Sequence, residues 1–260
     1  MTEIEIREAA KYFPIRSPRN SGKEKLVVFE NLTFNVEQGE FVCFLGPSGC
    51  GKTTLLWSIA GLHDLSAGEI RLRGQRIHGP GSDRSVVFQE FVMFPWRTLQ
   101  GNIAMGLELR RNKSIANKGA KQLVDELIDL VGLRGCEKAY PHEVSQGMRQ
   151  RVSVARALAV EPTVLLMDEP FGSLDVITRE SMQTKVVDIW KRTGKTIIFV
   201  THSIDEALFI ANKIVVFSAR PAKIKEIITL ESPTPRYYTD HRELLTLKDR
   251  IEKLLFYEMQ

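Results

Sequence analysis

A short stretch near residue 50 combines glycines, a lysine and a hydroxyl side chain at a spacing that suits phosphate binding. It fits the pattern G-x-x-x-x-G-K-[ST]. The pattern comprises Gly46, Pro47, Ser48, Gly49, Cys50, Gly51, Lys52 and Thr53, and Thr54 follows it. Glycines are needed because the backbone must take positive φ angles and bring its N–H groups close to phosphate oxygens. We expect Lys52 to reach the β and γ phosphates of a nucleotide and the Thr53 hydroxyl to bind Mg²⁺. A chance glycine-rich turn is the alternative.

Two neighbouring carboxylates supply a second chemical element. Residues 164–167 are apolar throughout, and Asp168 and Glu169 follow them directly. We expect Asp168 to complete the shell of Mg²⁺ and Glu169 to polarise a water molecule for in-line attack on the γ phosphate. Taken alone, the pair also fits a strand end that carries two solvated acids.

The segments around these residues predict an α/β core. The apolar run Phe41–Leu45 precedes the glycine-rich stretch, and residues 54–60 after it have helical character. Three more segments, residues 163–167, residues 196–200 and Lys213–Phe217, are apolar after their first residue, as parallel strands buried on both faces tend to be. A helix that begins at the glycine-rich stretch points its positive end at a bound anion.

The first third of the chain reads as strands. Residues 26–29 and 32–36 form apolar runs, and residues 70–77 are typical of a hairpin that turns at Gly74. Residues 14–25 are rich in Pro, Ser, Gly and cations, so we predict an exposed loop there.

The middle third changes to helical spacing at residues 103–111 and 120–131. We therefore predict one domain of residues 1–260, with a P-loop NTPase core of mostly parallel sheet, an N-terminal antiparallel β-subdomain and an inserted α-helical subdomain. The expected parts are about 1–90, 91–157, 158–230 and a C-terminal helical tail of about 231–260. Asp240 and Glu243 suit a capping box for this tail, and its apolar face comprises Leu244, Leu247, Ile251, Leu254 and Leu255.

The composition excludes several classes of protein. Hydrophobic residues make up 43% and charged residues 26% of the chain, which argues against a disordered or fibrous protein. The net charge of +4 is spread along the chain rather than concentrated, so we expect no nucleic-acid partner. No apolar stretch approaches the roughly 18 residues of a membrane-spanning helix, and residues 1–10 lack the features of a signal peptide. We expect a cytoplasmic protein whose three cysteines are reduced.

Further motifs resemble those of the nucleotide-binding subunits of ABC transporters, in the order found in that family. The matching segments are Lys11-Tyr12-Phe13 (A-loop), Val86-Val87-Phe88-Gln89 (Q-loop), Val144-Ser145-Gln146-Gly147-Met148 followed by Arg149-Gln150-Arg151 (signature LSGGQ-[KRQ]-QR), Gly172-Ser173-Leu174-Asp175 (D-loop) and Thr201-His202 (H-loop). The resemblance covers nearly the whole chain, and it implies that the nucleotide is ATP.

The resemblance also implies individual roles in the catalytic site. Gln89 senses Mg²⁺ and the attacking water and relays that state to a membrane subunit. His202 contacts the γ phosphate and holds the geometry of Glu169. Phe13 stacks on the adenine, with Tyr12 as the alternative.

In the family, the signature serine and glycine cap the ATP held by the opposite protomer, so hydrolysis needs a dimer. The resemblance gives this role to Ser145 and Gly147, towards a second copy of the chain or a paralogous ATPase subunit. Gln146 replaces the first signature glycine, and its side chain could crowd the phosphate or donate to it. Asp175 runs along the dimer interface, although the same segment also fits the N-cap of a helix.

The segment after Gln89 points to a membrane partner. Residues 91–96, with the sequence FVMFPW, place large apolar side chains where a solvated loop is expected. They suit a groove for a coupling helix of a transmembrane permease subunit, with packing inside the helical subdomain as the alternative. We therefore expect the chain at the cytoplasmic face of the membrane, working indirectly with a solute-binding protein.

Two segments resemble one importer branch, the ATPases that serve nitrate, sulfonate, taurine and related anions. FPWRTLQGN resembles the LPWxTxxxN segment of this branch, and Ser218-Ala219-Arg220-Pro221 with Ile224 resembles its S-x-R-P-G-x-I. Pyrimidine-precursor importers share much of this pattern, so the solute stays open.

Three other functions compete with this interpretation. A soluble ABC ATPase that acts on DNA or ribosomes usually has two such domains or a long coiled coil, and the sequence contains neither. A non-hydrolysing subunit is suggested by Gln146, but Lys52, Asp168, Glu169 and His202 argue against it. A small-molecule kinase also uses a phosphate loop, and the signature-like segment and the carboxylate pair disfavour it.

Overall fold

The structure, a computed structural model, describes residues 1–16, 23–90, 92–108, 117–230 and 242–256. Its strands in chain order are β1 (Thr2–Arg16), β2 (Lys23–Glu37), β3 (Phe41–Leu45), β4 (Ala67–Leu72), β5 (Gln75–Arg76), β6 (Arg84–Val87), β7 (Val164–Asp168), β8 (Thr196–Thr201), β9 (Lys213–Phe217) and β10 (Ile224–Thr229). Its α-helices are α1 (Lys52–Ala60), α2 (Leu99–Glu108), α3 (Asn117–Val131), α4 (Gln146–Ala159), α5 (Val176–Thr193), α6 (Ile204–Ile210) and α7 (Arg242–Phe256). Among the described residues, no helix has the length and apolar character needed to cross a membrane.

The chain forms two compact units. The first comprises Met1–Pro80 with Ile198–Gln260, and the second comprises Gly81–Ile197. The first unit contains an antiparallel sheet in the order β2-β1-β4-β5. The tight turn between β4 and β5 falls at Arg73 and Gly74, which have φ of 50° and 77°. Such angles suit a two-residue hairpin, so the predicted turn at Gly74 is confirmed.

The predicted loop at residues 14–25 is wrong at both ends. Strand β1 continues to Arg16 and β2 begins at Lys23, with Pro14 opposite Lys25; residues 17–22 lie outside the described part. The described pairing of β4 with β1 reaches only Ala10. A proline beyond that point is tolerated because its missing N–H is not needed by a second neighbouring strand.

The strand that leads into the predicted phosphate loop, residues 46–54, is anchored in the core of the first unit. Strand β3 pairs in parallel with β9, and β9 pairs in antiparallel direction with β10. All five residues of β3 are buried. The Phe44 ring meets Phe34 and Phe217 edge-on, with centroids 5.7 and 5.4 Å away. The prediction that these apolar runs are buried strands is confirmed.

The C-terminal helix α7 packs against α6 in the first unit. Leu244 and Ile251 on its predicted apolar face are buried. Lys248 Nζ lies 2.7 Å from the Asp205 carboxylate on α6, and the hydrogen bond to Asp205 raises the pKa of Lys248. The predicted apolar face of this helix is therefore partly buried against the first unit. Asp240 of the predicted capping box lies outside the described residues.

The second unit combines a parallel strand pair with packed helices. Strands β6 and β7 are parallel, with Val87 opposite Met167. Helices α2, α3 and α4 pack on one another. A β-carbon built on Gly106 of α2 would lie 2.8 Å from the Arg156 carbonyl oxygen of α4, so this glycine permits the close approach. The predicted helices of the middle third are confirmed within the described residues.

Candidate active site

The phosphate loop joins the end of β3 to the start of α1. Gly49 and Gly51 have φ of 75° and 120°, as the predicted role of glycine requires. A β-carbon on Gly51 would lie 2.6 Å from Val28 Cγ1, and one on Gly46 would lie 2.9 Å from the Phe217 carbonyl oxygen. Gly51 is therefore required by its φ and by packing, whereas Gly49 has open space around it.

Lys52 is the first residue of α1, and only 5% of it is exposed. Its Nζ donates to the carbonyl oxygens of Gly46 at 2.8 Å and of Pro47 at 2.9 Å. Both partners are neutral carbonyl groups, and a lysine ammonium makes stronger, charge-assisted hydrogen bonds to phosphate oxygens than to neutral acceptors. Burial raises the pKa of the Cys50 thiol, so this side chain adds no negative charge beside the phosphates.

The predicted A-loop lies on β1. Phe13 is half-buried, and its ring meets His63 edge-on at 6.1 Å, with Lys11 Nζ 4.8 Å from the ring centroid. His63 in turn stacks on Trp57 of α1 at 5.3 Å. Lys25 Nζ lies 4.4 Å from the Tyr12 ring centroid. Neighbouring residues of a strand point to opposite faces, so only one of the two rings can be the platform for a base.

The predicted H-loop histidine follows β8, whose six residues are all buried. His202 itself is exposed. Ser203 caps α6 by accepting a hydrogen bond from Glu206 N at 3.3 Å, and Ser203 N donates to Thr201 Oγ1 at 3.0 Å. His202 therefore lies on a turn, and the residues on its two sides, Thr201 and Ser203, are hydrogen-bonded to each other.

The two predicted carboxylates lie at the end of β7 in different environments. Asp168 is 5% exposed, and Glu169 is half-buried. Glu169 has φ of 42°, a conformation that non-glycine residues seldom adopt and that is found where function demands it. Gly172 N donates to Glu169 O at 3.2 Å. The chain thus turns sharply at Glu169 as soon as the strand ends.

Gln89 follows the neighbouring strand β6 and is exposed. Its Nε2 lies 3.7 Å from the position of a β-carbon built on Gly172. Since β6 and β7 are parallel, their carboxyl ends meet at one edge. The structure therefore brings the Gln89 amide to the turn that begins at Glu169.

The signature segment begins helix α4. Ser145 is the N-cap, and its Oγ accepts from Met148 N at 3.3 Å, which leaves the hydroxyl hydrogen able to donate. Gln146 is exposed in the first turn. Gly147 is buried, and a β-carbon there would lie 2.6 Å from Thr178 Cγ2 of α5. Packing against α5 therefore requires Gly147.

Asp175 is the N-cap of α5 and accepts from Thr178 N at 3.0 Å. This hydrogen bond lowers the pKa of its carboxyl group. The helix N-cap that the sequence offered as an alternative is thus present in the structure. Because Thr178 also packs on Gly147, Asp175 lies beside the signature segment.

Sequence reasoning missed the role of Asn102 in shaping the segment after Gln89. Asn102 is fully buried, and its amide donates to three carbonyl oxygens, those of Phe94, Arg97 and Thr98, at 3.0–3.2 Å. Its Oδ1 accepts from Phe94 N at 2.8 Å. These hydrogen bonds, called here the Asn102 clamp, fix the segment that carries Trp96, which is 71% exposed. Phe91 lies outside the described residues. The asparagine of the quoted LPWxTxxxN pattern was the signal for this role.

The predicted residues fall into one group in each compact unit. The first unit holds Phe13, residues 46–54 and His202, and the second holds Gln89, Ser145, Gln146, Gly147, Asp168, Glu169 and Asp175. Within the described residues, no cluster of three or more His, Cys, Asp or Glu could hold a metal ion. Thr53, Gln89 and Asp168 offer oxygen donors, which suit Mg²⁺ because this ion is usually held by one or two carboxylates together with phosphates.

Comparison with known proteins identifies the family. The family model described as ABC transporter matches residues 29–172, more than half of the chain. The chain belongs to the ABC transporter family. An aliphatic sulfonates import ATP-binding protein, SsuB of Bacillus cereus, is 46% identical over 233 residues, covering 90% of this chain and 88% of its own. The nitrate import ATP-binding protein NrtD of Synechocystis is 43% identical over 238 residues, covering 88% of each chain.

The ABC transporter family also accounts for the fold. A dimeric ATP-binding cassette solved in a post-hydrolysis state with ADP and Pi superposes with a TM-score of 0.74 at 26% identity, covering 88% of this chain and 99% of that one. The predicted α/β fold class is confirmed, and the chain is an ATPase of the ABC type. The match to the family begins at Phe29, so the A-loop assignment lies outside it.

Proposed function

We propose that this chain is the ATP-binding and hydrolysing subunit of an ABC importer that takes up a small anion such as a sulfonate or nitrate. The observation that carries the proposal is the 46% identity, over 90% of the chain, to a protein named for aliphatic sulfonate import. The similar identity to a nitrate import protein supports the same class of solute. Sulfonate and nitrate groups are both small oxyanions, so the proposed class of solute is a small oxyanion.

In this proposal the first unit holds the nucleotide. Phe13 stacks on the adenine, and the backbone of residues 46–54 surrounds the phosphates. Lys52 supplies the positive charge: its ammonium is buried and donates to the carbonyl oxygens of Gly46 and Pro47 and to the Cys50 sulfur. Lys52 and the helix dipole of α1 stabilise the negative charge of the γ phosphate.

Mg²⁺ would be held by Thr53, Asp168 and Gln89, with Asp168 supplying the carboxylate. When bound, Mg²⁺ neutralises charge on the β and γ phosphates. The burial of Asp168 at the end of β7 keeps its side chain in one place, which favours a defined ligand geometry.

Hydrolysis uses the residues around the end of β7. Glu169 takes a proton from water as the water oxygen attacks the γ phosphorus and the bond to the β–γ bridging oxygen breaks, giving ADP and phosphate. Gln89 orients this water, and His202 contacts the γ phosphate and holds the arrangement. The role of Gln89 is supported by its reach to the Glu169 turn.

The active form is a dimer in which Ser145 and Gly147 cap the ATP of the opposite protomer. The partner is a second copy of this chain or a paralogous ATPase subunit. The N-terminus of α4 supports this role, because helix N-termini favour anions and Ser145 retains a hydrogen to donate. The dimeric form of the related cassette supports it as well.

A transmembrane permease subunit docks on the segment around Trp96, at the cytoplasmic face of the membrane. Trp96 is 71% exposed on a segment fixed by the buried Asn102, and a rigid aromatic ring of this kind is a common anchor in protein interfaces. The permease receives its solute from a solute-binding protein, so the ATPase chain contacts that protein only indirectly.

The test is to tag the chain, extract native membranes in mild detergent and identify the proteins that co-purify. We expect a multi-span permease and vanadate-sensitive ATP hydrolysis, and we expect Trp96→Ala to lose the permease. Leu245→Ala is the matched control, because Leu245 is another exposed apolar side chain but lies on α7. Recovery of the wild-type chain with ribosomes or nucleic acid instead of a permease would overturn the proposal.

A further inference from the structure

A small hydrogen-bond network in the first unit joins the two residues next to His202 to Glu206. The Thr201 hydroxyl donates to the Glu206 carboxylate and accepts from Ser203 N at 3.0 Å. Glu206 N donates to Ser203 Oγ at 3.3 Å. The two residues that flank His202 are therefore hydrogen-bonded to each other and to Glu206 on α6, Thr201 through the carboxylate and Ser203 through the backbone N–H.

The Glu206 carboxylate lies where an apolar side chain would be expected. Glu206 is 8% exposed, and its helix neighbours Ala207 and Leu208 are buried. The pKa of Cys43 on β3 is raised, first by burial and then by the nearby charge of Glu206. Helix α6, which carries this carboxylate, packs against β3, the strand that leads into the phosphate loop.

A buried carboxylate is a costly way to fill this space. It loses hydration, and a well-packed apolar residue of similar volume is often as stabilising or more so. What a carboxylate offers instead is a directional acceptor for the Thr201 hydroxyl. The presence of a carboxylate at this position is therefore explained better by the hydrogen bond that it accepts from Thr201 than by a gain in folding stability.

We propose that Glu206 is a positioning residue that fixes the direction of His202 by holding the Thr201 hydroxyl. This inference rests on the role of His202 in the proposed function. Without its carboxylate partner, the Thr201 side chain can rotate and release Ser203 N. The backbone on both sides of His202 then loosens, so the imidazole meets the γ phosphate less often in its productive orientation.

The experiment compares purified Glu206→Ala, Glu206→Gln and Thr201→Val with the wild-type chain. For each variant, kcat and KM for ATP, the Kd of ATP and Tm are measured, with activities taken well below Tm. We expect Glu206→Ala and Thr201→Val to lower kcat about tenfold, the effect of one lost hydrogen bond to a charged group. The Kd of ATP should stay unchanged, because the phosphate loop is intact.

Glu206→Gln and one further variant, Leu208→Ala, separate positioning from general stability. Glu206→Gln keeps an acceptor oxygen for Thr201 and should restore kcat to within about twofold of wild type. Leu208→Ala removes a buried side chain from the same helix and should lower Tm without changing kcat. A merely structural role would instead make kcat follow Tm in all variants.

The outcomes distinguish this inference from the proposed function. Wild-type kcat in Glu206→Ala, or equal loss of kcat in Leu208→Ala, would overturn the positioning role while leaving the ATPase intact. Absence of hydrolysis by the wild-type chain, alone and with its membrane partner, would overturn the proposed function and the inference together.

Discussion

The phosphate loop and the hydrolysis region, defined as Gln89, Ser145–Gly147, Asp168, Glu169 and Asp175, are built in different ways. The phosphate loop is one continuous stretch that acts through its backbone and one lysine. Its shape depends on positive φ at Gly49 and Gly51 and on the hydrogen bonds of Lys52. The hydrolysis region collects side chains from four separate segments, each at the end of a strand or the beginning of a helix.

In the proposed function, each region controls a different property. The backbone cradle would determine whether the nucleotide binds. The side chains placed at element ends would determine what happens to the bound nucleotide. Substitutions in the loop should therefore change ATP affinity, and substitutions in the hydrolysis region should change turnover at constant affinity.

The largest expected effect is at Glu169. Glu169→Gln removes the proton acceptor but keeps the shape of the side chain, so kcat should fall by roughly 100-fold or more. The Kd of ATP should be unchanged, and a closed dimer should accumulate with ATP in size-exclusion chromatography. Wild-type phosphate release from this variant would remove Glu169 from catalysis and would erase the contrast between the regions.

Lys52→Ala tests the opposite side of the comparison. It deletes the buried ammonium, and since hydrogen bonds to charged groups contribute roughly 1.5–3 kcal/mol, ATP affinity should fall by about tenfold or more. Equilibrium binding of a fluorescent ATP analogue measures this. Lys253→Ala on the exposed face of α7 is the control and should bind like wild type. Unchanged affinity in Lys52→Ala would contradict the assignment of binding to the loop.

Two glycines sharpen the account of the loop itself. Gly51→Ala introduces both strain at φ 120° and a contact 2.6 Å from Val28 Cγ1, whereas Gly49→Ala introduces strain alone. We expect Gly51→Ala to lower the free energy of unfolding by roughly 1–3 kcal/mol and Gly49→Ala by about 1 kcal/mol. Denaturant unfolding of both variants checks the order. Equal losses would show that packing on Val28 contributes nothing.

The smallest expected effect is at Gln146. Its side chain is exposed in the first turn of α4, so Gln146→Gly should keep kcat within about twofold of wild type, with at most about 1 kcal/mol lost from helix propensity. Steady-state phosphate release measures it. A collapse of kcat would mean that the amide itself donates to the nucleotide.

The parts of the site that follow from local sequence were predictable. The loop, its strand Phe41–Leu45 and its helix are contiguous, and the structure gives β3 these same bounds. The glycines were predictable for the same reason, since the φ requirement lies within the motif. The packing that requires a glycine at Gly147 was not predictable, because it involves Thr178 on another helix.

Features that depend on contacts between residues far apart in the chain could not be predicted from the sequence. Residues 14–25 have the composition of a loop, yet Pro14 and Lys25 pair near the ends of two 15-residue strands. The positive φ of Glu169 depends on how the chain leaves a buried strand. The clamp made by Asn102 needs three carbonyl groups that only the folded turn brings together.

The central claim is that this chain breaks ATP down to ADP and phosphate. The most direct measurement follows free phosphate, ADP and any phosphorylated acceptor from the purified chain, with and without its membrane partner, beside Glu169→Gln. We predict equal amounts of ADP and free phosphate from the wild type and neither from the variant. Phosphorylated acceptor in place of free phosphate, or equal release by both proteins, would contradict the account.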